Sequence, residues 1–215
     1  MHYFLFCVTG RMFEPSHVKV LEQLWIATGY PDARIWCNRV AGYMGSARVD
    51  PGFSMSAAIA ASNGVSYGFR ACRLAYQVQS SIPQDEAERI RWADAQLSEQ
   101  RILPGYGRPI HRHDERIAFA LKSLAGAGLR AGPALKRAFW LHQHLQRAKG
   151  IEINISALWA AVCIDFGIVA REYDSFMVLM FAPGYAAVHA DQRSRSAFSF
   201  LSGHQTQVDN PDLGA

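Results

Sequence analysis

Leu103-Pro-Gly-Tyr-Gly-Arg-Pro-Ile-His-Arg-His-Asp-Glu-Arg116 is the stretch on which the reading of this chain turns. Behind two glycines it places Arg108, Arg112, Arg116, His111 and His113 within nine positions. Glycine permits backbone conformations that turn N–H groups outward. Outward N–H groups and guanidinium forks together suit a phosphate or a carboxylate. The plainer reading is a solvated loop whose Asp114 and Glu115 neutralise the arginines. Other chemistries fit less well. Gly105-Tyr-Gly107 is not a dinucleotide fingerprint, because no strand precedes it and the spacing is wrong. His111 and His113 lack an obvious third ligand. His142 and His144 lie two apart on an expected helix, so they point in nearly opposite directions and cannot share an ion. No metal site is expected, and neither a GxSxG nor a Walker sequence occurs.

Outward from this loop, nearly every periodic segment reads as helix. Upstream, Ser16 can cap a helix carrying Val20, Leu21, Leu24 and Trp25 inward and ending near Gly29. A second helix starts at Pro31-Asp32, with Ile35, Trp36 and Val40 on one face. Asp50-Pro51-Gly52 reads as a turn, after which Ser54 opens an Ala-rich helix that stops near Asn63-Gly64. Ser66 to Gln79 is amphipathic, and Ser81 and Pro83 begin a charged helix reaching about Leu103. Downstream, Asp114 caps a helix that breaks at Gly126 and Gly128, and Gly132-Pro133 starts another running to Lys149. Ile155 to Phe166 is apolar on nearly all sides, as a central buried helix would be. Ala170 to Ala182 is similar, and Pro183-Gly184 is expected to kink or divide it. No alternating strand pattern and no repeat appear. The predicted class is all-α.

Composition agrees. Of 215 residues, 50% are hydrophobic and 19% charged, which suits a globular chain with a core. The net charge of +4 comes without a Lys/Arg-rich run, so nucleic acid is not an expected partner. Cys7, Cys37, Cys72 and Cys163 form no CxxC pair and read as buried free thiols of a reducing cytosol. Met1 to Gly10 is apolar but short and lacks a basic start, unlike a signal peptide. Phe176 to Val188 is too short to span a bilayer. A soluble, cytoplasmic protein is expected.

The loop resembles the citrate synthase family, whose Pro-Gly-Tyr/Phe-Gly-His element is followed shortly by Asp-Pro-Arg. Here Leu103-Pro-Gly-Tyr-Gly-Arg108 precedes Asp114-Glu-Arg116. Ile153-Asn-Ile-Ser156 and the apolar run to Gly167 resemble the family's Asn-Val-Asp stretch and the helix it opens. Pro183-Gly-Tyr-Ala-Ala187 resembles its late Pro-Gly-x-Ala-Ala element. Asp32 to Val40 resembles its Asn-Ala-Ser-Thr-Phe-x-x-Arg-Val helix, and Ser54 to Gly68 its Ala-rich helix leading to Leu-His-Gly. The pattern is closest to the short citryl-CoA-lyase-like members, and the family's N-terminal region has no counterpart.

The middle, 80–152, is more charged than its flanks and reads as a smaller helical domain inserted into a large one (1–79 and 153–202), and the polar end reads as a flexible tail (203–215). The resemblance implies a homodimer with clefts between the domains. It also implies a site in which an Asp base enolises an acyl-CoA, one His stabilises the enol, another polarises the keto acid, and arginines hold carboxylates. At those positions this chain has Tyr67, Arg108 and Ser156, with Asn154 taking the base position if the alignment shifts by two. The family's late carboxylate-binding Arg falls near Phe181, while Arg116 keeps the one after Asp-Pro. The Pro104-Gly105-Tyr106-Gly107 turn, which in the family wraps the CoA adenine, is retained. Arg116, Arg112, His111 and His113 are the expected substrate-binding residues. No permanently bound cofactor is expected, with coenzyme A as a cosubstrate. Two functions follow. One is a divergent enzyme making or breaking a C–C bond on a CoA thioester or carboxylate ligand. The other is a catalytically inactive relative that binds a ligand or a partner subunit.

Overall fold

The computed structural model of the chain describes residues 1–29, 31–64, 68–99, 103–108, 113–197 and 199. These form ten α-helices and, among the described residues, no strand: α1 (His2–Thr9), α2 (Pro15–Thr28), α3 (Trp36–Ser46), α4 (Pro51–Ala61), α5 (Phe69–Ser81), α6 (Glu86–Glu99), α7 (Glu115–Gly126), α8 (Pro133–Lys149), α9 (Ile155–Asp165) and α10 (Ala170–Ser194). The expected tail from 203 lies outside the described residues.

Local chemistry sets most of the boundaries. Asp114 caps α7 by accepting from the Arg116 N–H. Pro133 occupies the first position of α8, where its missing N–H costs nothing, and Gly150 ends that helix in the left-handed conformation. Along α8 the buried residues Ala134, Leu135, Ala138, Leu141 and Leu145 recur at helical spacing. Helix α9 buries eight of its eleven residues and packs between α5 and α8. With Leu21 and Leu24 of α2 and Tyr173 and Phe176 of α10, these residues make the main core.

Several sequence expectations are corrected, among them the Ser16 cap, since α2 starts at Pro15 after Glu14. Helix α3 starts at Trp36 rather than at Pro31-Asp32. The Asp32 carboxylate instead closes a local turn, accepting from the Arg34 N–H and pairing with its guanidinium at 2.8 Å. The inward face of α3 is Cys37, Asn38, Ala41, Gly42 and Gly45, while Trp36 is exposed. Its small residues let α3 approach α10 so closely that a Cβ on Gly45 would meet the His189 carbonyl. Helix α4 starts at Pro51, because proline is tolerated in a first turn, and Ser54 is buried with its hydroxyl donating to the Ala41 carbonyl at 3.3 Å. Helix α10 runs undivided through Pro183. An internal proline costs about 3 kcal/mol, but packing against α3, α4 and α5 along the helix holds it together.

The first ten residues also form a helix, α1, that buries Leu5 and ends at a left-handed Gly10. It carries Cys7 on its exposed side, so three of the four thiols are buried rather than all. An almost wholly apolar cavity of about 420 Å³ lies beside α1, lined by Met1, Phe4, Trp25, Met55, Met180 and Pro183 among others. Among the described residues, no helix is long and apolar enough to cross a membrane.

Candidate functional site

The 103–108 segment is fixed onto the start of α9 through its backbone. Gly105 has φ +91°, and a Cβ built there would lie 2.9 Å from Ala157 Cβ, so neither conformation nor space admits another residue. Its carbonyl accepts from the Asn154 N–H at 2.9 Å, and the Gly107 carbonyl accepts from Asn154 Nδ2 at 2.9 Å. The Gly107 N–H donates to the Glu152 carbonyl at 2.6 Å. Tyr106 points into the core. Its hydroxyl accepts from Gln79 Nε2 and donates to the Ala138 carbonyl, both at 3.1 Å, tying the turn to α5 and α8. Burial raises that phenol well above its ordinary value. The Tyr106 side chain is therefore committed to the core, while Pro104 and Gly107 are the half-exposed residues of the turn.

Asp114 joins this turn to two helices. Its side chain is fully buried, and its oxygens accept from Arg116 Nε and Nη2, each at 2.8 Å, and from the Ile155 N–H at 2.9 Å. Burial pushes its carboxyl up, but the Arg116 guanidinium and the two backbone N–H groups outweigh that and hold it below the usual carboxylate range. Arg108 reaches the same cluster. It lies 3.7 Å from Asp114 and pairs directly with Glu115. Each of the two arginines thus faces a carboxylate of its own chain.

Ser156 sits in the first turn of α9, its N–H donating to Asn154 Oδ1 at 3.0 Å. Its hydroxyl has Cys72 Sγ at 3.9 Å. Burial pushes the Cys72 thiol up to about 11, an effect only partly offset by the Ser156 hydroxyl and the Arg116 charge. Beneath lie Cys163 and Tyr173, and the Tyr173 hydroxyl is buried without a hydrogen-bond partner among the described residues. His113 is turned to solvent and pairs with Glu152 through Nδ1 at 2.6 Å. His142 accepts from the Ile153 N–H, whereas His144 faces Asp94. Phe181 packs edge-on against Phe69 at 5.3 Å, so that neighbourhood is apolar. Tyr67, His111 and Arg112 lie outside the described residues.

The structure thus gathers Arg108, Arg116, Ser156 and the 104–107 turn around the start of α9, with His113 at the rim. The sequence offers Asp114 as a helix cap and as a carboxylate facing the loop arginines, and Asn154 as a possible base; their links to the start of α9 and to the turn are what the structure adds. Asn154 has a local signal, a capping residue before an apolar run. Gln79 and Glu152 have none, because their partners are distant in sequence.

Neither a family model nor a curated protein sequence matches the chain. Solved structures do. A citryl-CoA lyase from Hydrogenobacter thermophilus superposes over 100% of this chain and 83% of its own, with TM-score 0.80 and 17% identity. The citrate synthase of Thermoplasma acidophilum, solved with carboxymethyl coenzyme A and oxaloacetate, covers 94% of this chain at TM-score 0.70 and 19% identity. That from Thermotoga maritima covers 98% at TM-score 0.70 and 18% identity. The chain has the citrate synthase fold. It spans 56% and 57% of the two synthases. At these identities the shared property is the path of the helices, and side-chain chemistry must be argued from the site itself. Within the citrate synthase fold, the turn held by Gly105, Asn154 and Asp114 is the part of this site with the firmest geometry.

Proposed function

We propose that this chain binds a coenzyme A thioester or a related carboxylate ligand beside the Pro104–Gly107 turn, and that it does not carry out C–C bond chemistry by enolisation. The observation that carries the reading is the contrast between the two halves of the site. The backbone turn is locked from three sides by Asn154, Glu152 and the Tyr106 hydroxyl contacts. The first turn of α9 beside it carries a Ser156 hydroxyl whose neighbour is a thiol of raised pKa. Neither group is a competent base near neutral pH, and general-base and oxyanion contributions each supply powers of ten in rate. Phe181, where the family resemblance implies a carboxylate-binding arginine, adds to the same side of the argument. The neighbour crystallised with a coenzyme A analogue and oxaloacetate supports the ligand class.

The protein in this reading is a cytoplasmic homodimer with residues 80–152 as a smaller inserted unit. It keeps no permanent cofactor and takes coenzyme A as a released ligand. Titration calorimetry with coenzyme A and acetyl-CoA tests the binding. Thiol release from citryl-CoA, or from acetyl-CoA with oxaloacetate, tests turnover. Binding without thiol release is expected. Absence of coenzyme A binding would sink the reading, and thiol release would establish the divergent enzyme in its place.

A further inference from the structure

Arg108 has two carboxylate neighbours of different kinds. Asp114 is fully buried and committed elsewhere, both its oxygens being taken by the Arg116 guanidinium and by the N–H groups of Arg116 and Ile155. Glu115 is a surface residue. Its side chain is 71% exposed, against 26% for Arg108. Among the described residues Arg108 also reaches the His113 carbonyl at 3.5 Å, at the limit of a hydrogen bond. One partner of Arg108 is therefore immovable without breaking the core of the site, and the other can rotate into solvent.

The backbone that carries Arg108 is fixed. Gly107, directly before it, donates to Glu152 and accepts from Asn154. A guanidinium three-quarters buried on a fixed backbone loses little freedom when it gains an oxyanion. The charges matter equally. Arg108 and Arg116 balance Asp114 and Glu115, so the cluster is neutral as it stands and becomes cationic once Glu115 is moved or neutralised. Glu115 is held below its ordinary value first by its own backbone N–H and then by the Arg108 charge, so it stays ionised and competes near neutral pH.

We propose that Glu115 is the built-in counter-ion of an oxyanion subsite on Arg108, and that an external carboxylate or phosphate enters by displacing it. The idea rests on the site beside the turn binding an anionic ligand, and it adds what sets the selectivity there. A ligand must outcompete a tethered carboxylate, so weak monoanions are rejected and a polyanion is accepted. Exposed ion pairs are weak, so the displacement is easy for a ligand held elsewhere as well.

The test compares the full chain with Glu115→Gln, a surface change expected to leave folding intact. Citrate and inorganic phosphate are titrated separately at low ionic strength. Glu115→Gln should bind at least one of them about two- to fivefold tighter than the parent, and adding Arg108→Gln (or Arg108→Lys, should that variant be unstable) should abolish the gain. A gain with citrate alone assigns the subsite to a carboxylate; a gain with phosphate alone assigns it to a phosphate. Equal affinities, no binding by either protein, or a gain that survives loss of the Arg108 fork would overturn the proposal. Coenzyme A binding unaffected by Glu115→Gln, with no gain for either anion, removes this inference and leaves the functional reading. A gain in a protein that does not bind coenzyme A does the reverse.

Discussion

Asp114 ties three parts of the site together, facing Arg108 after the turn, Arg116 of α7 and the Ile155 N–H of α9. Asp114→Asn leaves the Arg116 charge without its carboxylate and weakens the tie to Ile155. Breaking a buried pair in this way costs about 3–5 kcal/mol, and partial exposure of Arg116 argues for the lower end. In a chain this long, the melting temperature should fall by roughly 6–12 °C, readable by circular dichroism. The folded state holds this carboxyl below its ordinary value. Its contribution is therefore complete above about pH 4 and disappears as pH falls through the folded value. The gap between the parent and Asp114→Asn should then narrow below about pH 4 and stay constant between pH 5 and 7. A constant gap down to pH 2.5 would mean that the charge is not what matters. The capping role of this residue was visible in the sequence, since Asp before Glu-Arg at the head of an apolar-periodic run is a local pattern. Its bond to the Ile155 N–H was not, because no local signal connects positions 41 residues apart. The neutralised state of Arg108 and Arg116 was one of two readings of the loop, and spacing alone could not choose between them.

At the scale of elements, the helices with strong terminal chemistry were legible and those set by packing were not. Helix α8 begins and ends where Pro133 and Gly150 place it. Its start has a further support. The Asp165 carboxylate, at the end of α9, accepts from the Ala134 and Leu135 N–H groups at 2.8 and 3.0 Å and lies against Gly132. This is a cap supplied by another helix. Asp165→Ala should lower stability by about 1–2 kcal/mol, as loss of a capping carboxylate does, with the amides of residues 134 and 135 losing most hydrogen-exchange protection. Unchanged exchange at those amides would contradict the cap. The start of α3 was missed because Asp32 offers the same capping pattern as Asp114 but closes a turn on Arg34 instead. The continuity of α10 was missed because the chain packed along its length is far away in sequence.

For the whole molecule, the helical class and the arrangement of the citrate synthase fold were readable from five weak motifs in the right order. The apolar cavity beside α1 was not readable, since its lining comes from four helices that no motif connects. Exposed apolar side chains at Trp36, Tyr43, Phe53 and Leu179 lie on α3, α4 and α10. A face of this kind suits association of two copies. Multi-angle light scattering should report about twice the 23.9 kDa chain mass; a monomer at all concentrations would remove the homodimer from the proposal.

The close approach of α3 to α10 has a consequence for how the protein is made. Gly45 and His189, which meet there, are 144 positions apart in the chain. At synthesis rates of about 5–20 residues per second, α3 leaves the ribosome roughly 7–30 s before the helix that covers it. During that interval α3 and α4 can pack on each other, but the small, apolar faces that both turn toward α10 stay uncovered. A nascent chain stalled before residue 170 would present those faces to chaperones, to proteases or to another nascent copy. Yield of folded protein should therefore depend on translation speed over the last quarter of the message more than on any single contact in the finished fold.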